Sequence, residues 1–309
     1  MIQPVQPVPD FGIGPAPAPG ELVPLAPAFA RLTAPNPGLM TGPGTNSYLV
    51  GTDELAVIDP GPDDDGHRAA LQAAAEARGT LRHILVTHSH RDHAPGAAAL
   101  AAASGARVVG FGSDDFAPDL RVAGGWTLSL RGADGPVTLE AVHTPGHASD
   151  HLCWLLREGR TLLTGDHVMH GSTVVIRPPD GDLGEYLASL ARVRDLDPPP
   201  ATLAPGHGRL MDHVTAVLDS LIAHRLARHA AAADALRAAA AGTADDLLGQ
   251  VYADVTEAQL PVARFSLWAH LRHLGSEGRA EPIGAPPGGD TIETTWRWVP
   301  GTPDPSPNR

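Results

Sequence analysis

Short apolar runs recur through the first two-thirds of the chain and predict β-strands. The predicted strands cover residues 55–58, 81–86, 108–110, 126–130, 137–142, 151–156, 161–163 and 201–204, and residues 41–50 are predicted to be a turn leading into a further strand. Segments with helical spacing cover residues 69–77, 96–103 and 183–193. Strands in two runs, with helices between them, predict an α/β (α+β) fold of two sheets, each covered by helices on its outer face.

The pattern changes after Gly208. Residues 214–240 are predicted to form one long helix, followed by helices at 244–251 and 264–274 and a strand at 291–299. Three helices and a hairpin-like end predict a small helical, winged-helix-like domain. The expected organisation is an extended Pro-rich arm (1–20), a large α/β domain (21–212), the winged-helix-like domain (213–300) and a disordered tail (301–309).

Composition narrows the function and the compartment. The net charge is −13 and all 22 basic residues are arginine, which argues against a protein that coats nucleic acid through a basic surface. The N-terminus lacks the basic start and apolar core of a signal peptide, and no apolar run approaches the roughly 18 residues of a membrane span. We therefore expect a soluble cytoplasmic protein with no membrane partner.

The single cysteine, Cys153, rules out an internal disulfide framework and a cysteine-rich metal site. It lies within the predicted strand 151–156. We expect it to be a buried, inert thiol rather than a nucleophile.

The most informative segment directly follows the predicted strand 81–86. It carries four potential metal ligands within six residues: His88, His90, Asp92 and His93. Residues two apart in an extended segment point the same way, so His88 and His90 can present both imidazoles to one ion. Asp92 and His93 follow where the chain turns and can reach a second ion. Imidazole and carboxylate ligands together suit a borderline divalent ion such as zinc.

Three further motifs carry ligand-type residues at predicted strand ends. They are His143-Thr144-Pro145-Gly146-His147, Thr164-Gly165-Asp166-His167 and Ala204-Pro205-Gly206-His207-Gly208. Gly and Pro beside each candidate ligand form tight turns, which let a side chain point inward from a strand end. A chance cluster of histidines on a surface loop does not explain four such motifs in one chain.

These motifs, in this order, resemble those of the metallo-β-lactamase superfamily. The resemblance implies an αββα sandwich over residues 21–212 with a binuclear metal site between the two sheet edges. It implies that one ion is bound by three histidines and the other by an aspartate and two histidines, while a further aspartate bridges both ions. In this chain the two sets are His88, His90 and His147, and Asp92, His93 and His207, and the bridging residue is Asp166.

The resemblance also assigns roles around the ligands. Asp59, in the Ile58-Asp59-Pro60-Gly61 turn, matches an early aspartate of the superfamily and is expected to orient a ligand. His143 lies on a strand rather than at a turn, so we expect it to hydrogen-bond a ligand instead of binding metal. Asp92 and Asp166 are the residues expected to be catalytic.

A closer resemblance, to the β-lactamase-like protein 2 group, covers nearly the whole chain. It rests on four segments: residues 36–51, Gly165-Asp166-His167-Val168-Met169, His224-Arg225-Leu226-Ala227-Arg228 and residues 267–274. Members of the group have a winged-helix-like C-terminal domain. They include a mitochondrial endoribonuclease, fungal thioesterases acting on acyl carriers and many bacterial hydrolases. The last helix lacks the group's usual lysines, which weakens an interpretation as a nucleic-acid-binding protein.

The predicted site suggests a mechanism. Two divalent ions roughly 3.5–4 Å apart lower the pKa of a shared water, so that a metal-bridging hydroxide can attack a carbonyl carbon or a phosphorus. Two carboxylates against two such ions leave the site positive, which favours an anionic substrate. We therefore expect a metal-dependent hydrolase that acts on an ester, a thioester or a phosphodiester, with a small-molecule, acyl-carrier or RNA substrate.

Four residues are candidates for substrate binding. His170 is expected to line the pocket or to pack against its neighbours, and His224 to lean over the site or to lie at the domain interface. The long helix after His207 is predicted to form one wall of the substrate cleft, with Arg225 or Arg228 contacting an anionic group of the substrate there. The alternative is that both arginines are solvated or paired with acidic neighbours.

Two alternatives to a small-ester hydrolase remain open. One is an endoribonuclease that cleaves single-stranded RNA. The other, of a different class, is a nucleic-acid-binding regulator with a vestigial site. The complete ligand set argues against a vestigial site. Residues 213–285 also hold six arginines against eight acidic residues, so this domain is not basic.

Overall fold

The computed structural model describes residues 5, 7–286 and 288–301. The strands in these residues are β1 Gly12–Ile13, β2 Leu22–Ala26, β3 Phe29–Thr33, β4 Asn46–Gly51, β5 Glu54–Ile58, β6 Thr80–Leu85, β7 Arg107–Gly110, β8 Leu120–Arg121, β9 Thr127–Leu130, β10 Val137–His143, β11 Leu152–Leu156, β12 Thr161–Gly165, β13 Thr202–Pro205, β14 Leu210–Met211, β15 Ala241–Gly242, β16 Ala280–Pro282 and β17 Trp296–Trp298. The helices are α1 Asp65–Glu76, α2 Gly96–Ser104, α3 Leu183–Arg194, α4 Val214–Ala239, α5 Ala244–Val251 and α6 Leu260–Ser276, with a 3₁₀ turn at Glu257–Gln259.

Two seven-stranded sheets form the body of the fold. One has the order β2-β3-β4-β5-β6-β7-β8, and the other has the order β1-β14-β13-β12-β11-β10-β9. Strands β5 to β8 are parallel, as are β12 and β13, and the remaining neighbours in both sheets are antiparallel. The predicted αββα sandwich is confirmed.

The inner faces of the two sheets enclose one apolar core. Tyr48, Ile58 and Leu85 of the first sheet share a buried cluster with Leu139 and Trp154 of the second. Burying one such side chain contributes about 1.5–3 kcal/mol, so this contact holds the two sheets together. Helices α1 and α2 cover the outer face of the first sheet, and α3 and α4 cover the outer face of the second.

The C-terminal part has a core of its own. Leu236 of α4, Leu247 of α5 and Leu271 of α6 pack with Trp296 of the small sheet β15-β17-β16. Three helices against a short antiparallel sheet confirm the predicted winged-helix-like domain.

Several element boundaries differ from the sequence prediction. Helix α1 begins four residues earlier than predicted because the Asp64 carboxylate accepts the His67 N–H and caps the helix. Helix α6 begins at Leu260, since Pro261 fits the first turn, where its missing N–H is not needed. The predicted strand 291–299 is reduced to β17, because Thr294 N–H bonds back to Thr291 O in a turn.

Three strands of the first sheet were not predicted: β2, β3 and the two-residue β8 at the opposite edge. Strand β2 contains Pro24 and lies at the sheet edge, where a missing N–H is tolerated. Strand β3 is buried along its whole length, so it lacks the alternation of apolar and polar residues that marks a half-buried strand.

The structure describes parts of the predicted N-terminal arm and C-terminal tail. Within the predicted arm, β1 pairs with β14 of the second sheet. Most of the predicted tail, residues 302–309, lies outside the described residues. Among the described residues, every helix is too short or too polar to cross a lipid bilayer.

Candidate metal centre

The four predicted motifs meet at one edge of the sandwich. Strand β6 ends just before His88 in the first sheet, while β12 and β13 end just before Asp166 and His207 in the second. Hydrogen bonds join the two sheets at this edge. Leu152 N–H donates to Thr87 O at 2.7 Å, and the backbone N–H of Asn46 donates to Gly206 O at 2.7 Å. The ligand-bearing turns are therefore held together by the backbone itself.

Three histidines form the first ligand group. His88 Nε2 lies 3.0 Å from His90 Nδ1, and His147 Nε2 lies 3.0 Å from the same atom. One ring nitrogen from each residue therefore faces a common point, which is an arrangement that could hold a metal ion.

Two aspartates and two histidines form the second ligand group. Asp92 Oδ2 lies 3.4 Å from His93 Nε2 and 3.1 Å from His207 Nε2. Asp166 Oδ1 lies 3.4 Å from His93 Nε2 and 3.3 Å from His207 Nε2. These four side chains could hold a second ion.

Asp166 lies between the two groups. Its Oδ1 faces the second group, while its Oδ2 lies 3.6 Å from His147 Nε2 in the first group. The two oxygens of one carboxylate thus point toward different ligand sets, which is the geometry that a bridging carboxylate requires.

Buried atoms without hydrogen-bond partners test whether metal ions fit these groups. His93 Nε2, His207 Nε2 and Asp166 Oδ1 are all buried and have no hydrogen-bond partner among the described residues. A buried polar atom left unpaired costs roughly 1–3 kcal/mol, so native structures rarely retain several together. Because all three are ligand atoms facing one point, a bound cation would satisfy them at once.

The protonation states also suit metal binding. Burial raises the pKa of Asp166, but the imidazoles of His207 and His93 outweigh it and hold the pKa well below its usual value. Burial holds the pKa of His88 well below 6.5 and lowers the pKa of His147 to about 4, which leaves both rings neutral. Burial also lowers the pKa of His207, but the carboxylates of Asp166 and Asp92 raise it to about 9. An arriving cation would displace this proton.

Asp59 lies where a residue that orients His93 should lie. Its Oδ2 accepts a hydrogen bond from His93 Nδ1 at 2.8 Å. The same carboxylate accepts the Thr87 N–H at 2.7 Å and the Thr87 hydroxyl at 2.8 Å. These contacts fix the imidazole with Nε2 directed toward the second ligand group.

Sequence reasoning missed several residues that support the ligands. The Thr87 hydroxyl lies 2.9 Å from His88 Nδ1, and His151 Nε2 accepts the backbone N–H of Asp166 at 3.2 Å. The side-chain amide of Asn46 donates to Pro205 O and Gly208 O, on either side of His207. His151 follows His147 by four residues, and that spacing was the available signal. Asn46 lies far away in sequence and gave none.

The interpretation of His143 is corrected by the structure. Its ring hydrogen-bonds to Ser149 O at 3.2 Å and stacks on Phe111 with the ring centroids 4.6 Å apart. No contact joins it to a candidate ligand among the described residues. His143 is the last residue of β10, and its side chain reaches the far side of the turn that carries His147. It therefore supports the loop around His147 rather than a ligand.

Gly206, directly before His207, has no space for a side chain. A Cβ at this position would lie 2.7 Å from His93 Cε1 and 2.9 Å from Asp166 Oδ1. A side chain there would occupy the centre of the second ligand group.

Two neighbouring cavities open beside the centre. The first, of about 260 Å³, is lined by His207, His170, Leu39, Met40 and Met169 among others. His170 lines this cavity, and its Nε2 lies 2.8 Å from Asp10 Oδ1 in the N-terminal segment, so its contact with a substrate stays a prediction.

The second cavity, which we term the interdomain crevice, lies between the two domains. Its volume is about 130 Å³, and its lining residues are Leu39, Met40, Met169, Ser172, Thr173, Val174, Val175, His224, Arg225, Tyr252, Val255, Gln259, Val262, Ala263 and Ser266. Leu39, Met40, Met169 and Ser172 line both cavities, so the crevice adjoins the pocket beside His207.

Arg225 and Arg228, the two candidate substrate-binding arginines, lie in different environments. Arg225 lines the interdomain crevice, where it donates to Val174 O and lies over the Tyr186 ring. Arg228 is buried and forms a two-pronged ion pair with Asp254 at 2.8 and 2.9 Å. Arg228 is thus paired with an acidic neighbour, as the alternative expected, and a contact between Arg225 and the substrate stays a prediction. His224 lines the crevice next to Arg225.

Comparison with known proteins agrees with this geometry. The sequence model of the "Metallo-beta-lactamase superfamily" matches residues 40–207, and that of the "Beta-lactamase associated winged helix domain" matches residues 243–289. The first match spans the whole candidate centre from the Asn46 turn to His207.

Curated relatives share most of the chain. "Lactamase-like protein adaB" of Aspergillus niger is 34% identical over 276 residues, which cover 80% of this chain and 82% of that protein. The "Beta-lactamase-like protein 2 homolog" of Drosophila melanogaster is 31% identical over 282 residues, covering 82% and 92%. "Thioesterase pkgB" of Emericella nidulans is 36% identical over 214 residues, covering 66% and 57%.

A solved structure has the same fold. The metallo-beta-lactamase family protein TTHA1429 from Thermus thermophilus aligns with a TM-score of 0.70 at 22% identity, covering 89% of this chain and all of that one. The chain thus belongs to the metallo-beta-lactamase superfamily, within which it is related to the β-lactamase-like protein 2 homologues and has the winged-helix C-terminal domain associated with that superfamily.

Proposed function

We propose that the protein is a binuclear metal-dependent hydrolase that cleaves an ester or thioester with an apolar acyl group. The observation that carries the hydrolase assignment is the pair of ligand groups joined by Asp166, whose two oxygens face different sets of histidines. The first group would hold one ion through His88, His90 and His147. The second group would hold the other through Asp92, His93 and His207, with Asp166 between them.

Two bound divalent ions would lower the pKa of a water and polarise the oxygen of the scissile bond. The chain contributes the setting for this chemistry. Asp59 fixes the ring of His93, and His151 accepts the backbone N–H of Asp166 and so holds the bridging carboxylate in place. Because two carboxylates face two divalent ions, the loaded centre stays positive and favours a substrate that gains negative charge.

The acyl specificity rests on the interdomain crevice. Leu39, Met40 and Met169 line both the crevice and the pocket beside His207, so an apolar chain starting at the centre could continue between the domains. Val255 and Val262 of the C-terminal domain extend this apolar lining. A relative is named a thioesterase, which supports an acyl substrate over RNA.

Charge gives no comparable support to an RNA substrate. Of the two arginines predicted to meet an anion, Arg228 is neutralised by Asp254, and Arg225 donates to a backbone carbonyl. The net charge of −13 also disfavours the long-range attraction that polyanion binding uses.

The metal content tests the binuclear assignment directly. We expect protein purified without chelator to contain close to two equivalents of divalent metal in the seven-residue centre, with zinc the preferred ion because nitrogen and carboxylate ligands suit it. Elemental analysis of the wild type and of His90→Gln measures this, since His90 links the other two histidines of the first group. Active wild-type protein with almost no metal would contradict the assignment.

A substrate panel tests the acyl specificity. With metal-loaded protein, kcat/KM should rise from acetyl to octanoyl thioesters and esters as the chain fills the crevice. The Val262→Asn variant should raise KM for the octanoyl substrate roughly 5–150-fold and leave the acetyl substrate unchanged, because a pocket contact of this size contributes about 1–3 kcal/mol.

Leu226→Asn is the matched control, since Leu226 is exposed on α4 and does not line the crevice. Cleavage of single-stranded RNA without ester or thioester hydrolysis would overturn the acyl assignment and favour the endoribonuclease. Hydrolysis whose kcat/KM does not depend on the length of the acyl chain would rule out the crevice as the acyl-binding site. RNA or DNA binding without any hydrolysis would favour the regulator.

A further inference from the structure

A separate cluster of three ligand-type side chains lies in the C-terminal domain, outside both ligand groups of the binuclear centre. It comprises His229 of α4, His273 of α6 and Glu277, which directly follows α6. One nitrogen or oxygen from each of the three lies within 4.8 Å of the other two. We propose that His229, His273 and Glu277 form a third metal site, which binds a borderline divalent cation such as zinc and ties α4 to α6.

The spacing of the ligand atoms suits a tetrahedral ion. His229 Nε2 lies 3.1 Å from Glu277 Oε2, and His273 Nε2 lies 3.7 Å from Glu277 Oε1. Two ligands at 2.0–2.1 Å from a tetrahedral zinc ion are about 3.4 Å apart, and both distances are near this value although they end on different oxygens of Glu277. The three ligand atoms lie within 4.8 Å of one another, so the side chains would have to turn inward for one oxygen of Glu277 and the two ring nitrogens to meet an ion.

The helices set this geometry. His273 and Glu277 are four residues apart, and Glu277 keeps helical dihedral angles as the C-cap of α6, so both side chains project from one face. His229 reaches the same point from α4, where it is 5% exposed. Two ligands from one helix and one from its neighbour would connect helices that also share an apolar core.

The surrounding residues suit a ligated histidine. His270, which is 1% exposed, places its Nδ1 3.4 Å from His229 Nδ1. With a metal on Nε2, the neutral ring of His229 carries its proton on Nδ1 and can donate it to His270, as ligated histidines usually do to a neighbour.

Arg279 sets the expected affinity. Its Nη1 lies 3.0 Å from Glu277 Oε2, which orients the carboxylate and leaves Oε1 directed toward His273. The guanidinium also cancels the charge of the single carboxylate. The binuclear centre presents two carboxylates, Asp92 and Asp166. We therefore expect the third site to bind more weakly and to fill last.

Zinc titration of the metal-stripped full chain tests this proposal. Equilibrium dialysis with elemental analysis should find one more equivalent in wild type than in His273→Gln or Glu277→Gln. His213→Asn is the matched control, because His213 is exposed near the start of α4 and outside the cluster, and asparagine tolerates its left-handed backbone. The test compares the zinc content of the variants with that of wild type. Its outcome therefore does not depend on how many ions the binuclear centre binds.

A stability measurement provides the second readout. Zinc in excess of the tight sites should raise the Tm of wild type by about 5 °C, and of His213→Asn equally, through binding to the folded state only. Neither His273→Gln nor Glu277→Gln should show this last increase. Equal zinc content and equal Tm shifts in wild type and both cluster variants would overturn the proposal and leave the three residues as a hydrogen-bonded contact between α4 and α6.

Discussion

Replacing Asp166 with asparagine is expected to lower kcat/KM by at least about 10³-fold while the protein stays folded. Asparagine keeps the shape of the side chain but substitutes an amide nitrogen for one carboxylate oxygen and removes the negative charge. Since Oδ1 faces His93 and His207 while Oδ2 faces His147, one ligand group must lose its shared oxygen. Losing metal stabilisation of developing charge costs several kcal/mol, which corresponds to that factor.

Metal content and activity should be measured together in Asp166→Asn. We expect less than two equivalents of metal in the centre and an unchanged circular dichroism spectrum, because the residue lies in a turn after β12 rather than in the apolar core. Asp219→Asn is the control. Its carboxylate is exposed on α4, pairs with Arg194, and should leave activity as in wild type when it is replaced. Full activity of Asp166→Asn would exclude the bridging role.

Asp59→Asn is expected to reduce metal affinity or activity roughly 10–100-fold, the usual effect of losing a partner that orients a metal ligand. The Thr87 N–H can only donate, so the carbonyl oxygen of the new amide must stay at the position of Oδ1. The amide nitrogen then faces His93 Nδ1. Because that nitrogen donates, the ring must carry its proton on Nε2, the atom directed at the metal.

Asp59→Asn should change the tautomer of the His93 ring, which is an effect that destabilisation of the fold alone would not produce. Burial lowers the pKa of His93, but the carboxylates of Asp166, Asp92 and Asp59 raise it well above 6.5, so the metal-free protein must be studied at a pH above that pKa. Under those conditions nitrogen chemical shifts should place the His93 proton on Nδ1 in wild type and on Nε2 in the variant. Asparagine also tolerates the positive φ of 51° at this position, so the backbone is not strained by the change. Damage as severe as that of Asp166→Asn would show that Asp59 does more than orient His93.

Much of the fold and most of the candidate centre could be predicted from local sequence. The strand that ends at Leu85 and the ligands that follow it are adjacent in the chain, so their order and spacing are visible directly. The turn residues beside His147, Asp166 and His207 mark strand ends for the same reason. The predicted bounds of helix α5, residues 244–251, match the observed ones, and in the structure a capping box between Thr243 and Asp246 fixes where it begins.

Contacts between distant segments could not be predicted in this way. The role of Arg228 depended on Asp254, which lies 26 residues away on a different element, and local sequence does not show that the two meet. His143 is the first residue of the motif that ends in His147, but its contacts with Phe111 and Ser149 depend on how β10 packs. Asn46 supports the turn around His207 from 162 residues away.

The sequence by itself therefore determined the chemistry of the centre: which side chains can bind metal, their order, and the strand ends that carry them. Only the tertiary structure decided which oxygen of Asp166 faces which histidines, which arginine remains beside the crevice, and that His229 meets His273 and Glu277. The physical reason is that ligand type and turn propensity are local properties of the chain. Distances between side chains instead arise when two sheets and the helices around them bury their apolar faces against one another.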